Sequence, residues 1–418
     1  MSELLLPAGS IEKMRYAFHY GADACYLGLV DFSLRTMRKG DIITKDNLKI
    51  ATKIAKELNK KVYLTLNIFA FDNDIKKLYE TLPVIEEAKP DALIISDFGI
   101  LNVVKKELKN LDIDIHISTQ TNTLNSEAVK FWRDLGAARV ILARELSLFQ
   151  IEEIRKNVPD IELECFIHGA QCMSYSGRCL LSDYMTGNER KANQGACAQA
   201  CRWSYKLVEE TRPNEYYEII QDDKGSHILS TKDLCLVKYL DELKNYVDSF
   251  KIEGRTKSLY YVSATARAYR MVMDGKITPE VGYNELLKVG NRGYTTGFFL
   301  GNNDSTTYSY DISKGLAGAD FLGIIQELTD NKIKVLMKNK VYLNDEFEII
   351  TPNYSTKAKV INIINNKRET NDVAHTNDVV LMEVETTNDD WKKEANFGLL
   401  RTIGIKDNSK EIKETTCE

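Results

Sequence analysis

No stretch of this chain comes near the roughly 18 uninterrupted apolar residues that a membrane-crossing helix requires, so no transmembrane segment is expected. The amino terminus, MSELLLPAGSIEKMRYAF, has no basic leader, and its only early apolar run is Leu4 to Leu6 before Pro7. It does not read as a signal peptide. The chain is therefore expected in the cytoplasm, where thiols stay reduced and disulfides are rare. Net charge is −5 with 28% charged residues, so the molecule as a whole is not a basic nucleic-acid binder. Local basic patches remain open, because phosphate affinity depends on where the charge sits. Several catalytic signatures are also missing. The first strand-to-helix turn, Pro7-Ala8-Gly9-Ser10, lacks the G-x-G-x-x-G dinucleotide fingerprint. There is no H-E-x-x-H, no G-x-S-x-G elbow and no P-loop, and the five histidines are scattered.

What is present is a strand–helix alternation over residues 1–290. Short apolar runs at Leu4–Leu6, Ala24–Leu27, Val62–Phe69, Ala92–Ser96, Ile115–Ser118, Val140–Ala143, Leu163–Ile167 and Ser249–Ile252 read as strands. Most are followed by an amphipathic stretch. In Lys45–Leu58, for example, Leu48, Ala51, Ile54, Ala55 and Leu58 recur on one helical face. Continuous apolar runs such as VILA and ALII suit strands buried on both sides. Eight such units predict an α/β fold, a (β/α)8 TIM-like barrel, rather than an open sheet. The pattern changes later. Residues 291–316, rich in Gly, Asn, Ser and Thr, read as a linker. Six short β-like runs between Phe321 and Ile403 predict a small all-β barrel over 317–405, and 406–418 reads as a polar tail.

Five of the eight cysteines lie between Cys172 and Cys235, in an insertion (170–235) after the seventh strand. The spacing Cys172-x6-Cys179-x17-Cys197-x3-Cys201, followed by Cys235, offers at least four soft ligands on loops. Four thiolates hold either zinc or an iron–sulfur cluster. Only Cys197–Cys201 has the spacing of a zinc knuckle. Wide, irregular spacing suits a cubane reached from separate loops, while zinc or plain structural thiols stay open. Cys25 and Cys165 sit among apolar strand residues and read as core.

In such a barrel, ligands gather at the carboxyl ends of the strands. Those ends carry Gly28, the loop Ser33–Gly40, Asn67, Asp97, Ser118-Thr119-Gln120, Glu145, His168-Gly169 and Glu253-Gly254-Arg255. Some of these polar residues are expected to be helix caps. Arg178, Arg190, Lys191 and Arg202 bracket the insertion and interleave with Tyr175, Tyr184, Trp203 and Tyr205. Basic and aromatic residues together suit an RNA-facing surface, although a solvated loop face has the same composition.

The run ECFIHGAQCMSYSGRCLLSDYMTG, from Glu164 to Gly187, resembles the signature of peptidase family U32. NQGACAQACRWSY, STKDLCL, FKIEGRTKSLYYV and RGYTTGFF resemble further blocks of that family, so the resemblance spans nearly the whole chain. It implies one of two activities. Some members are described as collagenase-like peptidases. Others carry a 4Fe-4S cluster and support oxygen-independent, prephenate-dependent hydroxylation of tRNA, ribosomal RNA or a quinone precursor. The length and the appended β-barrel are most similar to the tRNA-hydroxylating branch, in which wobble uridine becomes 5-hydroxyuridine. By resemblance, the cluster ligands are Cys172, Cys179, Cys197 (with Cys201 as its alternate) and Cys235. Arg35, Glu253 and Arg255 match family positions, and the guanidinium groups of Arg35 and Arg255 suit a dicarboxylate such as prephenate. His168 joins them as a candidate catalytic residue. The implied partners are tRNA and, further, a second U32-family paralogue.

Overall fold

The computed structural model describes residues 2–29, 32–33, 43–110, 112–172, 174, 179, 181–186, 197–202, 221–222, 225–226, 231–301, 318–329, 332–365 and 368–404. The chain divides into two compact units. The first comprises 1–18, 22–257 and 291–315; the second comprises 19–21, 258–290 and 316–418.

The first unit is built on eight parallel strands: Glu3–Ala8, Ala24–Gly28, Lys61–Leu66, Ala92–Ile95, Asp114–Ile117, Arg139–Ile141, Glu162–Ala170 and Ser249–Ile252. They pair in chain order, and Ser249–Ile252 closes the ring against both Glu162–Ala170 and Glu3–Ala8. The expected TIM-like barrel is present. Its strands are largely apolar because both faces are covered. Leu4, Leu5 and Leu6 are all fully buried, each contributing about 1.5–3 kcal/mol. The helix Lys45–Glu57 buries Leu48, Ala51, Ile54 and Ala55 of the predicted face, whereas Leu58, just past its end, is exposed. It starts where Thr44 accepts the Asn47 N–H. Asp97, Asn125 and Ser147 cap the helices that follow them in the same way. Asp97, expected at the barrel mouth, is therefore used as a cap.

The seventh strand continues past the ring. Its outer end pairs antiparallel with Asp233–Cys235, and Tyr294–Thr295 adds in parallel beside that segment. Cys235 is thus on a strand, not in a loop. The described part of 291–316 is likewise not a bare linker, since Asn291 and Phe299 are buried. An Arg292–Asp233 ion pair ties the two short strands together. Strands of two or three residues are too short to show a period of two, which is why the sequence pattern missed them.

The barrel interior is polar at its lower level. Arg139 Nη1 lies 2.6 Å from Glu3 Oε1 and 3.0 Å from Glu164 Oε2, and Lys251 Nζ lies 2.6 Å from Glu164 Oε1. Tyr63 donates to Glu3 Oε2 at 2.6 Å, and its ring lies 5.4 Å from the Arg139 guanidinium. These residues come from strands on opposite sides of the ring, so the network fills its centre.

The second unit closes six antiparallel strands into a barrel, as expected: Phe321–Thr329, Lys332–Met337, Glu346–Ile350, Ser355–Ile364, Val379–Thr386 and Leu399–Thr402. Closure leaves no open sheet edge. Ile333, Val335 and Met337 alternate inward, and Phe347, Val360, Met382 and Trp391 complete the core. Two helices, Leu259–Met273 and Pro279–Leu287, belong to this unit, although the sequence boundary placed them with the first 290 residues. Buried Arg401 holds them there. Its Nη2 lies 2.7 Å from Glu285 on the second helix and 2.8 Å from Glu348 on a barrel strand.

Removing one partner of a buried ion network leaves uncompensated charge behind. Glu164→Ala is therefore expected to lower stability by roughly 3–5 kcal/mol in urea unfolding. Burial alone would raise the Glu164 carboxyl, but the Lys251 and Arg139 cations outweigh it and hold its pKa at about 2. A depressed carboxyl stabilises above its unfolded value. That contribution should be lost as pH falls from about 4.3 towards 2, with a shallower loss in the mutant.

Candidate active site

The strands of a (β/α)8 barrel direct the loops at their carboxyl ends onto one mouth. Glu253 and Arg255 stand there, just beyond the eighth strand. Opposite Lys251 and Ile252 the seventh strand carries an extra residue, Ile167, as a bulge, while the eighth strand runs on to Glu253. The chain then turns through Gly254 at φ +150°, a conformation that favours glycine. Both side chains are buried, at 6% and 4% exposure.

Each is held by named contacts. The Tyr26 hydroxyl lies 3.0 Å from the Ile252 carbonyl and 3.3 Å from Glu253 Oε2. The Lys251 ammonium sits 4.6 Å from the centre of the Tyr26 ring, so the lower ion network reaches the Glu253 carboxylate through this tyrosine. Arg255 Nη1 donates to Thr65 Oγ1 at 2.9 Å, and Thr65 donates in turn to the Leu27 carbonyl at 3.0 Å. Gly28 makes this approach possible. A Cβ there would lie 2.2 Å from Arg255 Nη1 and 2.6 Å from Ser33 Oγ. The arrangement is a fixed guanidinium beside a fixed carboxylate, both largely screened from water.

His168 lies inside the seventh strand rather than at its tip, with 1% exposure. Burial pushes its pKa down to about 3, so it is neutral at physiological pH. Cys235 pairs directly opposite it, with the Tyr294 ring 5.4 Å from the imidazole. His116, in the fifth strand, is also pushed well down, by burial and then by Arg139.

The thiols differ in setting. Cys25 and Cys165 are buried in strands, and burial pushes both thiols up, in line with their expected core role. Cys172 and Cys197 are exposed, Cys179 and Cys201 half-buried, and Cys235 buried. The Leu181 N–H points at Cys179 Sγ at 3.4 Å, and the Gln199 N–H at Cys197 Sγ at 3.3 Å. Cysteine sulfur is a soft ligand for zinc or for an iron–sulfur cluster. The donor chemistry therefore fits a thiolate-held centre. Among the described residues no three His, Cys, Asp or Glu side chains surround one point. Residues 175–178 and 187–196, which separate these cysteines, lie outside the described set. So do Arg35, Arg178, Arg190 and Lys191, together with the side chain of Arg202.

The sequence did not single out Tyr26, Thr65 or Arg144. The Arg144 guanidinium lies 3.8 Å from the centre of the Phe166 ring and donates to the Ala170 carbonyl at 2.6 Å. Tyr26 and Thr65 share the inward parity of their strands, the one signal that could have marked them.

The sequence profile of Peptidase family U32 matches residues 9–309, and that of the Peptidase family U32 C-terminal domain matches 318–391. The tRNA hydroxylation protein P of Haemophilus influenzae is 39% identical, with 89% of this chain and 90% of that protein covered. A 23S rRNA 5-hydroxycytidine synthase of Escherichia coli is 36% identical over 76% of this chain and 46% of its own length. A collagenase of Porphyromonas gingivalis is 29% identical over 84% and 86%. A solved U32 peptidase structure covers 61% of this chain and 94% of its own, with TM-score 0.39 and 13% identity.

Gly28→Ala is expected to displace Arg255 and to cost about 1–3 kcal/mol by overpacking. A urea midpoint shift with an unchanged far-UV circular dichroism spectrum would show it. No shift would mean that Arg255 moves without penalty.

Proposed function

Because the chain belongs to peptidase family U32, we propose that it is an RNA-modifying enzyme that hydroxylates tRNA, converting wobble uridine to 5-hydroxyuridine. The observation that carries this reading is the likeness to a tRNA hydroxylation protein over about nine tenths of both chains. The site supports it. Hydroxylating a pyrimidine carbon is redox chemistry for which side chains have no suitable group. Cys172, Cys179 and Cys235, with Cys197 or Cys201, would hold a 4Fe-4S cluster, which supplies the electron transfer. Cys235 sits on the short strand that pairs with the outer end of the seventh strand, next to where the thiol-bearing segment leaves the barrel. Arg255, with Arg35, would bind the carboxylates of prephenate, since guanidinium matches carboxylate bidentately. Glu253, fixed by Tyr26, would orient the co-substrate hydroxyl or take a proton from it. A pyrimidine would enter unstacked, as bases must to reach a buried site. Arg178, Arg190, Lys191 and Arg202 would hold the RNA by phosphate contacts.

The peptidase reading has less support. A hydrolytic base works best with a pKa near the operating pH. Burial drives both barrel histidines, His116 and His168, far below that range.

A strain lacking this protein and any paralogue is expected to lose 5-hydroxyuridine-derived nucleosides from bulk tRNA, as read by mass spectrometry. Cys179→Ala should not restore them, and the purified protein should not cleave gelatin. Unchanged tRNA nucleosides would reject the assignment and turn attention to ribosomal RNA or a quinone precursor.

A further inference from the structure

The turn that leaves the fifth strand, residues 118–123, is hydrogen-bonded almost to saturation. The Ser118 N–H donates to the Ile95 carbonyl at 2.8 Å. Ser118 Oγ accepts the Gln120 N–H at 3.4 Å and lies 3.5 Å from Asn67 Nδ2. Thr119 Oγ1 donates to the Leu142 carbonyl at 3.0 Å, and Thr121 Oγ1 to the Ser118 carbonyl at 3.0 Å. Thr123 Oγ1 accepts from Trp132 Nε1 at 3.1 Å. Thr119–Thr121 forms a short 3-10 turn that ends on Asn122 in the left-handed region, at φ +54°. Two atoms stand apart from this order. Gln120 Oε1 and Asn122 Oδ1 are both buried and neither has a hydrogen-bond partner.

Buried polar atoms are nearly always satisfied, so two such orphans on one turn require an explanation. The turn lies at the carboxyl end of a barrel strand, where ligands bind. Both orphans are acceptors, so the missing group is a donor. A carboxylate only accepts and would leave them unmatched. A pyrimidine edge supplies the donor in N3–H of uracil or the exocyclic amine of cytosine, next to a carbonyl or ring nitrogen that accepts. A carboxamide offers an acceptor and a donor side by side and therefore matches such an edge bidentately.

We propose that Gln120 and Asn122 read the edge of the extruded pyrimidine and set which base the site accepts. This rests on the RNA reading given above and adds the residues that make it selective.

The test uses the purified full-length chain and a seven-base RNA hairpin loop carrying one uridine, or N3-methyluridine at the same position, with binding followed by fluorescence anisotropy at fixed salt. The wild type is expected to bind the uridine hairpin about tenfold more tightly, the discrimination that a lost base-edge contact gives. Gln120→Ala and Asn122→Ala should each bring this ratio towards one and leave the affinity for the methylated hairpin unchanged. Gln120→Glu keeps an acceptor and should keep part of the ratio. A thermal unfolding curve matching the wild type shows that a variant is folded. Equal binding of the two hairpins by the wild type, or an unaltered ratio in both folded alanine variants, overturns the inference while RNA binding stands. Binding of neither hairpin overturns the RNA reading, and this inference with it.

Discussion

The first unit depends on the burial of Glu164. A carboxylate with no exposure at the centre of a barrel is tolerable only because Lys251 and Arg139 both reach it. Each ion alone would meet a desolvation penalty of several kcal/mol. Together, with Glu3 on the far side of Arg139, they satisfy one another. The requirement fixes geometry. Glu164, Lys251, Arg139 and Glu3 lie on the seventh, eighth, sixth and first strands, and only the closed ring brings them within 3.0 Å of their partners. Such a network is weak evidence for stability, because an apolar core of equal volume could be as stable. It is better evidence for register, since a one-residue slip of any of these strands would bury an unpaired charge.

The site is built directly on this network. Lys251 is two residues before Glu253, so the end of one strand carries a residue of the network and then a residue of the site. Tyr26 serves both levels, with Lys251 over its ring and Glu253 at its hydroxyl. Across the mouth, Arg255 is held by Thr65, and Gly28 gives it room. The candidate carboxylate and guanidinium of the site are thus positioned by groups whose own places are set by packing. Preorganisation of this kind is what charged chemistry in a water-poor site requires.

Much of this architecture was legible in the sequence. Continuous runs such as VILA and ALII marked doubly covered strands, and the spacing of Leu48, Ala51, Ile54 and Ala55 marked a helix face. The six later strands showed their alternation, as in Lys332–Met337. Other features were not legible, each for a physical reason. Asp233–Cys235 and Tyr294–Thr295 are too short to show a period. The helices 259–287 are amphipathic whichever unit they join, and their membership is settled by Arg401, a single polar letter far along the chain. The ion network was hidden because Glu164 and Lys251 each interrupt an apolar run once. Pairing Arg139 with Glu3 requires knowing that residues 136 apart in sequence meet. Of the mouth residues, Glu253, Arg255 and Gly28 were picked out by position, whereas Asp97 proved to be a cap and His168 an internal strand residue.

The ion network also limits how anything can enter the barrel. Glu164, Arg139 and Lys251 are nearly inaccessible, and Tyr63 and Ser249 pack beside them. That end is therefore closed to a ligand, and substrate must arrive and depart at the carboxyl ends of the strands. The seventh strand runs beyond the ring at this end, where Asp233–Cys235 pairs with it, and the thiol-bearing segment follows directly after it. A ligand held by Arg255 and Glu253 would thus sit at the carboxyl ends of the strands, the end from which that segment departs. Electron transfer weakens steeply with distance, so a redox reading of this protein needs its thiols to border the entrance rather than the closed floor. Hydrolysis would impose no such requirement on cysteines.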